Sequence, residues 1–310
     1  MAGKTPGYAW MNGEIIPWEQ ATVHVRTDAF MYGANVFEGI RAYASPDKTQ
    51  MYVFRNAEHM ARLFNCSMKI LRMQIPWTAQ QVSAAMMEML RANSFHEDVH
   101  IRPTVFFGSG QSYAVDPAEI GTGCVITAVE RTPKPSLWSG LHACISSWRR
   151  IDDQSMPPRV KAGANYLNSR YATVEARTNG YDTAILLNQH GKVAEGPGAC
   201  LMMVKDGRVV TPPVTEGILE SVTRGTLMEL FRGEMGMEVL EREMDRTELY
   251  LADEVFFCGT GAEVQPIVSV DRYPVGTGAT GPVVKAMQEL YFGIVRGQNP
   301  RYREWLTPVY

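Results

Sequence analysis

The sequence predicts an α/β protein in two parts: a small α+β domain over residues 1–129 and a larger α/β domain over 141–310, joined by a linker at 130–140. Three observations predict it. Apolar runs of strand length alternate with helical patterns along the chain. At 310 residues the chain is longer than one ordinary domain. At Glu130-Arg-Thr-Pro-Lys-Pro-Ser-Leu-Trp-Ser-Gly140 the alternation breaks, because two prolines within three residues continue neither a helix nor a central strand.

The elements follow in order. Residues 8–14 and 15–17 read as a hairpin turning at Asn12-Gly13, a pair suited to the positive φ angles of a tight turn. Strands are expected at 42–43 and 51–54. Met60, Leu63, Met68 and Leu71 recur at helical spacing, and a second helix is expected over 80–93. Residues 101–108 and 124–129 read as buried strands. Beyond the linker come a strand at 141–147 and a helix over 165–177, closed by Asn179-Gly180. Two hairpins follow, the second turning at Asp206-Gly207. A helix over 222–231, strands at 254–258 and 267–270, and a helix over 282–296 complete the reading. No internal repeat is present.

Composition narrows the function. With 45% hydrophobic and 20% charged residues the chain can bury substantial cores. A net charge of -3 gives no footprint for nucleic acid or for an anionic membrane surface. No apolar run reaches the ~18–20 residues of a transmembrane helix, and the first eight residues lack the apolar stretch of a signal peptide. Five cysteines without a CxxC suit reduced thiols in the cytoplasm, and no metal site is expected.

Four motifs carry chemistry, and one tempting motif does not. Gly276-Thr-Gly-Ala-Thr-Gly281 matches GxGxxG, but the chain ends too soon for a βαβ unit with its acidic residue ~20 positions later. A glycine-rich loop leading to Pro282 at the first helical position is the better reading. Lys161, one of eight lysines, stands among small residues in Val160-Lys-Ala-Gly-Ala-Asn-Tyr166. Such surroundings leave space for a planar ring on a Schiff-base lysine, although an ordinary surface lysine fits them too. Thr215-Glu-Gly-Ile-Leu-Glu-Ser-Val-Thr-Arg224 leads into a helix, placing Arg224 where the helix dipole disfavours a cation. A phosphate on the free amides and the Thr223 hydroxyl would relieve that conflict; a Glu220–Arg224 pair would too. Glu195, before a Gly-Pro-Gly turn, could serve a buried pyridine nitrogen or simply be solvated. Phe257-Cys-Gly-Thr-Gly-Ala-Glu263 ends a strand in amides that suit an anion, or in a plain tight turn.

Together, in this order and spacing, these pieces resemble the branched-chain aminotransferases of the class IV, pyridoxal 5'-phosphate (PLP)-dependent group, from about Tyr8 to Gly293. The most specific segments are Tyr32-Gly-Ala-Asn-Val-Phe-Glu-Gly-Ile-Arg41, Glu58-His-Met-Ala-Arg-Leu63, Lys161-Ala-Gly-Ala-Asn-Tyr166, Val222-Thr-Arg224 and Glu248-Leu-Tyr-Leu-Ala-Asp-Glu254. The resemblance implies fold type IV, as in D-amino-acid aminotransferase, with PLP in the cleft between the domains. Lys161 would form the Schiff base and carry the proton. Tyr166 would meet the ring hydroxylate and Glu195 the pyridine nitrogen. Arg62, Leu219, Val222, Thr223 and Thr260 would complete the cofactor site. Tyr32, Phe37, Gly39, Arg41, His100 and Arg102 match positions around the substrate, and Thr260 with Gly261 would meet its carboxylate. The resemblance also implies a homo-oligomer, a dimer or a multiple of dimers, in which a partner loop covers the site.

The implied reaction transfers an amino group between a hydrophobic L-amino acid and 2-oxoglutarate. The alternatives on the same fold are a D-amino-acid or (R)-amine transaminase and aminodeoxychorismate lyase. A non-catalytic PLP-binding relative would not need Lys161, Tyr166 and Glu195 together. The chain departs from the family pattern at Cys200 and Met202, at Glu220-Ser221, in a linker without pocket aromatics, and at His100, where many relatives have tyrosine. His100, Arg102 and Thr104 share one side of an alternating strand, so His100 is expected to face the site if Arg102 does.

Overall fold

The computed structural model describes residues 6–108, 119 and 121–310. The chain groups into two compact units. One comprises Met1–Thr132, Val160–Ala164 and Phe292–Tyr310, and the other Pro133–Arg159 and Asn165–Tyr291.

The first unit opens with the expected hairpin. β1 (Tyr8–Met11) and β2 (Glu14–Pro17) pair antiparallel through Asn12 at φ 50° and Gly13 at φ 106°. The same Asn12 pins the turn to the sheet, since its amide donates to the Cys124 carbonyl and its Oδ1 accepts from the Cys124 amide, both at 2.9 Å. α1 (Asp28–Tyr32) and β3 (Asn35–Phe37) come next, too short to show a period in the sequence. β4 (Ile40–Ala44) and β5 (Met51–Phe54) follow. α2 (Asn56–Arg62) runs directly into a π-helical turn, Leu63–Met68, so the helical pattern read there contains one widened turn. α3 (Ala79–Asn93) starts with a capping box in which Thr78 and Gln81 exchange bonds at 2.8 and 3.2 Å. β6 (Val99–Phe107) and β7 (Thr122–Glu130) pair without a break from Val99↔Glu130 to Phe107↔Thr122.

The sheet order is the C-terminal strand Leu306–Pro308, then β5, β4, β6, β7, β1 and β2, with β3 on β6. Its core face buries Ile40, Ala42, Met51, Val53, Ile101, Val105 and Ile126 against Met60 and Leu63 of the helical rod and Val82, Met86, Met89 and Leu90 of α3. Those four α3 residues stand at i, i+4, i+7 and i+8, one face of a helix, which is why this helix was legible. Each fully buried aliphatic side chain contributes about 1.5–3 kcal/mol.

The segment carrying Lys161, expected within 141–310, groups with these N-terminal strands. Backbone bonding explains it: Ala162 bridges Val36, Phe37 N donates to the Lys161 carbonyl at 3.0 Å, and Gly163 N donates to the Asn35 carbonyl at 3.1 Å. The stretch Leu306–Pro308 joins them likewise, by pairing with β5.

The second unit begins inside the expected linker, where α4 (Ser136–Ser139) forms. Its prolines sit just ahead of the first turn, the one place a helix accepts them. Gln265, Gln288 and Thr280 donate to the α4 carbonyls of Ser136, Leu137 and Trp138. The remaining elements are β8 (Leu141–Arg149), α5 (Tyr166–Thr178), β9 (Thr183–Leu187), β10 (Cys200–Lys205), β11 (Arg208–Thr211), α6 (Val222–Gly233), β12 (Val239–Glu241), β13 (Glu254–Gly259), β14 (Glu263–Val270), β15 (Tyr273–Pro274) and α7 (Pro282–Val295). The sheet order is β12-β11-β10-β13-β14-β8-β9, with β15 on β14. β8 runs parallel to β9 and β14, and β11 parallel to β12; the other pairs are antiparallel. The hairpin expected at Asp206-Gly207 is present, whereas the one before it reduces to a single bridge, Leu187↔Val193.

The glycine-rich loop before α7 has no vacancy for a phosphate. Glu254 already occupies the start of that helix, accepting from Val283 N at 2.9 Å and Val284 N at 2.8 Å.

Candidate active site

In the first unit, one sheet face gathers most of the expected substrate residues. Side chains alternate along β6, so Val99, Ile101 and Val105 enter the core while His100, Arg102 and Thr104 face the other way. β3 lies alongside, with Phe37 opposite Thr104. The Arg102 guanidinium carbon stands 4.4 Å from the centre of the Phe37 ring, and Lys161 Nζ 5.2 Å from it. Lys161 is held by its backbone, its amide donating to Ser67 Oγ at 3.1 Å and its carbonyl accepting from Phe37.

The small residues after Lys161 do not simply leave room for a ring, as the sequence suggested. Ala162 is buried in the bridge to Val36, and a Cβ on Gly163 would come within 2.6 Å of Asn35 Oδ1. Their smallness lets the lysine segment lie flat on β3.

His100 is not at a strand edge, since β6 is flanked by β4 and β7; it stands opposite Arg41 on one side and Val129 on the other. Its Nδ1 is buried without a hydrogen-bond partner among the described residues. A Cβ on Gly39 would approach its Cε1 to 3.1 Å. Burial first, then the charges of Arg102, Arg41, Arg131 and Lys161, push the imidazole down to about 3. The like-charge effect of Arg102 is therefore present but second to burial. Arg41 is itself buried, donating to the Arg131 carbonyl at 3.2 Å and lying 3.8 Å from Asp98. Tyr32, last in α1, is 54% exposed.

Arg62 closes α2 and meets a partner that the sequence reading passed over. Its Nε and Nη2 donate to the two oxygens of Glu38 at 2.7 Å each, and His59 Nδ1 lies 2.7 Å from Glu38 Oε2.

The second unit assembles the expected ring and phosphate residues. Glu195 is buried, not solvated: Arg150 Nη2 lies 2.7 Å from its Oε1, and the Leu219 amide donates to its Oε2 at 3.3 Å. Cys200 offers its thiol to the same oxygen at 3.7 Å and to the Leu219 carbonyl at 3.4 Å. Arg150 was also missed, and only the Arg149-Arg150 pair at a strand end hinted at it. Tyr166 opens α5 beside Gly198. Thr260 and Gly261 form the turn between β13 and β14, with the Ala262 amide closing on the Gly259 carbonyl.

At the start of α6, Ser221 Oγ caps the Arg224 amide at 3.2 Å. The amides of Val222 and Thr223 precede the first intrahelical bond. The dipole argument from Arg224 is overturned. Its guanidinium turns away to Glu241 at 2.7 Å and the Pro212 carbonyl at 2.8 Å, while Glu220 pairs with Arg159.

Comparison with known proteins places this arrangement in a family. Residues 35–270 match the family model described as amino-transferase class IV. A probable branched-chain-amino-acid aminotransferase of Aquifex aeolicus is 40% identical, the match covering 98% of this chain and 97% of the relative. The branched-chain amino acid aminotransferase of Thermobaculum terrenum, solved in its PLP form, superposes with a TM-score of 0.92 at 44% identity, covering 98% of this chain and 99% of that one. The enzyme of Thermoproteus uzoniensis, solved with norvaline, gives a TM-score of 0.92 at 40% identity over 99% and 100% of the two chains. Likeness of this extent over both units shows that the chain belongs to the class IV aminotransferase family.

Proposed function

We propose that this protein is a PLP-dependent aminotransferase that exchanges an amino group between branched-chain L-amino acids and 2-oxoglutarate, with Lys161 as the lysine that binds the cofactor. Each unit offers donors of the kind PLP needs: the first a lysine and a guanidinium, the second a buried carboxylate for the pyridine nitrogen and a helix start for the phosphate. The observation that carries the reading is the burial of Glu195 against Arg150 at 2.7 Å, which supports a positioned carboxylate of the kind a pyridinium needs.

In this reading, Arg62, Val222, Thr223 and Thr260 bind the phosphate, and Tyr166 donates to the ring oxygen, with Leu219 alongside. When bound, PLP supplies an electron sink for charge developing at the substrate α-carbon. Lys161 Nζ takes the proton from that carbon and later returns one, as a general base and then acid. Thr260 and Gly261 receive the substrate carboxylate, while Phe37, Gly39, Arg41, His100 and Arg102 border its side chain. The four cations that bear on His100 favour anionic substrates on that face.

We also assign the protein to a homo-oligomer in the cytoplasm. Leu167, Tyr171 and Val174 follow helical spacing on α5 and are about half exposed, with Trp148 stacked on Tyr171 at 4.6 Å. Val25, Phe30, Met31 and Tyr32 form a second exposed apolar stretch, and such surfaces favour a partner. Among the described residues no helix is long and apolar enough to cross a membrane, and none of the five cysteines forms a disulfide. The decisive experiment is a half-reaction screen that follows loss of the lysine-bound cofactor's absorbance. L-Leucine, L-isoleucine and L-valine should discharge it. Discharge by D-amino acids or (R)-amines alone would overturn the assignment.

A further inference from the structure

Lys161 stands at the centre of an inverse γ-turn: the Ala162 amide closes on the Val160 carbonyl at 2.9 Å, and Lys161 has a negative φ. In so tight a turn the central residue's own amide and carbonyl point away from the closing bond and need partners elsewhere. Both have one. The carbonyl accepts from Phe37 N at 3.0 Å, and Gly163 N donates to the Asn35 carbonyl at 3.1 Å beside it. The Lys161 amide donates to Ser67 Oγ at 3.1 Å. Each peptide unit is planar, so holding the two units that flank one Cα sets its φ and ψ, and with them the direction in which the side chain leaves. The other bonds of this set join backbone to backbone; Ser67 supplies its one side chain.

Ser67 is wholly buried in the π-helical turn Leu63–Met68, and among the described residues its hydroxyl has one partner, the Lys161 amide. A hydroxyl is costly to bury, so packing alone would favour alanine there. Single widened turns inside helices occur frequently at functional sites. The frame around this contact is firm. Glu38, the residue after β3, binds His59 and Arg62 at 2.7 Å each on the helical rod that continues into Ser67. The strand and the rod that grip Lys161 from its two sides are thus locked to each other.

We propose that Ser67 is a positioning residue for Lys161: its hydroxyl, carried by the π-turn, fixes the amide side of the γ-turn and so aims the lysine side chain. The inference rests on the assignment of Lys161 as the lysine that binds the cofactor.

Ser67→Ala removes the acceptor with little loss of volume, and two readouts test the result. In the full-length protein without cofactor, hydrogen exchange at the Lys161 amide should quicken by about threefold or more, the worth of a neutral hydrogen bond. In the holoenzyme, single-turnover reaction with L-leucine should show a limiting rate lowered by about threefold or more, with the half-saturating concentration within about twofold of wild type. That rate is read per bound cofactor, so a variant that is merely less stable would not change it. Ser67→Cys, a weaker acceptor of similar size, serves if the alanine variant does not fold, and the same two changes are expected of it. An exchange rate or a limiting rate changed by less than about threefold overturns the proposal, as does a loss confined to the half-saturating concentration. The underlying assignment is read separately: borohydride attachment of the cofactor to another lysine would end it, whatever the Ser67 variants do.

Discussion

Replacing His100 by glutamine should flatten the acid limb of the protein's stability profile. A histidine in an unfolded chain titrates near ~6.5. In the folded protein burial and four neighbouring cations bring His100 down to about 3. Between those two values the unfolded chain binds a proton that the folded protein refuses. Stability is therefore lost as pH falls below the unfolded value, and nothing is lost above it. At pH 5 the two titrations differ by about 2 kcal/mol, from roughly 1.4 kcal/mol per pH unit over the window. Urea unfolding of the holoenzyme at pH 7.5 and 5.0, on wild type and His100→Gln, reads this directly. Wild type should lose about 2 kcal/mol more than the variant across that interval. Equal losses, or an imidazole resonance assigned to His100 that titrates between about pH 6 and 7, would refute the reasoning.

Further outcomes follow from the site. Borohydride treatment of the holoenzyme should attach the cofactor covalently to Lys161, and a modified peptide carrying another lysine would overturn that assignment; Lys161→Ala should abolish turnover while the far-ultraviolet spectrum stays unchanged. Arg102→Ala should slow the glutamate half-reaction about ten- to a hundredfold, the loss of one charge-assisted contact, and the leucine half-reaction much less. Equal losses in stopped-flow measurements would make Arg102 a structural residue, stacked on Phe37. Arg150→Met should destabilise the protein by about 3–5 kcal/mol, because it leaves the Glu195 carboxylate buried without its cation. An unchanged melting temperature would contradict that account of the pair.

What the sequence disclosed was local. Asn12-Gly13 turns β1 into β2 because its own backbone angles demand it, and α3 shows its buried stripe within fifteen residues. The lysine, tyrosine, glutamate and guanidinium proposed for the site were singled out through motifs of a few residues each. What stayed hidden was pairing at a distance. Arg150 meets Glu195 from 45 positions away, and Glu38 meets Arg62 from 24 away, contacts that no periodicity encodes. Arg224 misled because its position in the helix was foreseen correctly but its partner, Glu241, comes from a strand after the helix. The roominess inferred around Lys161 failed for a related reason: the space belongs to Asn35, whose strand was too short to foresee. The π-turn after Arg62 was equally invisible, since one extra residue in a helix barely disturbs an apolar repeat.

The borders of the first sheet carry a consequence for assembly. Both outermost strands finish in proline, β2 at Pro17 and the C-terminal strand at Pro308, and each is only three or four residues long. Proline has no amide hydrogen to lend, and so short a ribbon offers little for an incoming strand to zip onto. A second copy therefore cannot lengthen this sheet by annealing to its rim. Contacts that this sheet makes with another copy are therefore left to side chains, which keeps it closed to runaway edge-to-edge growth.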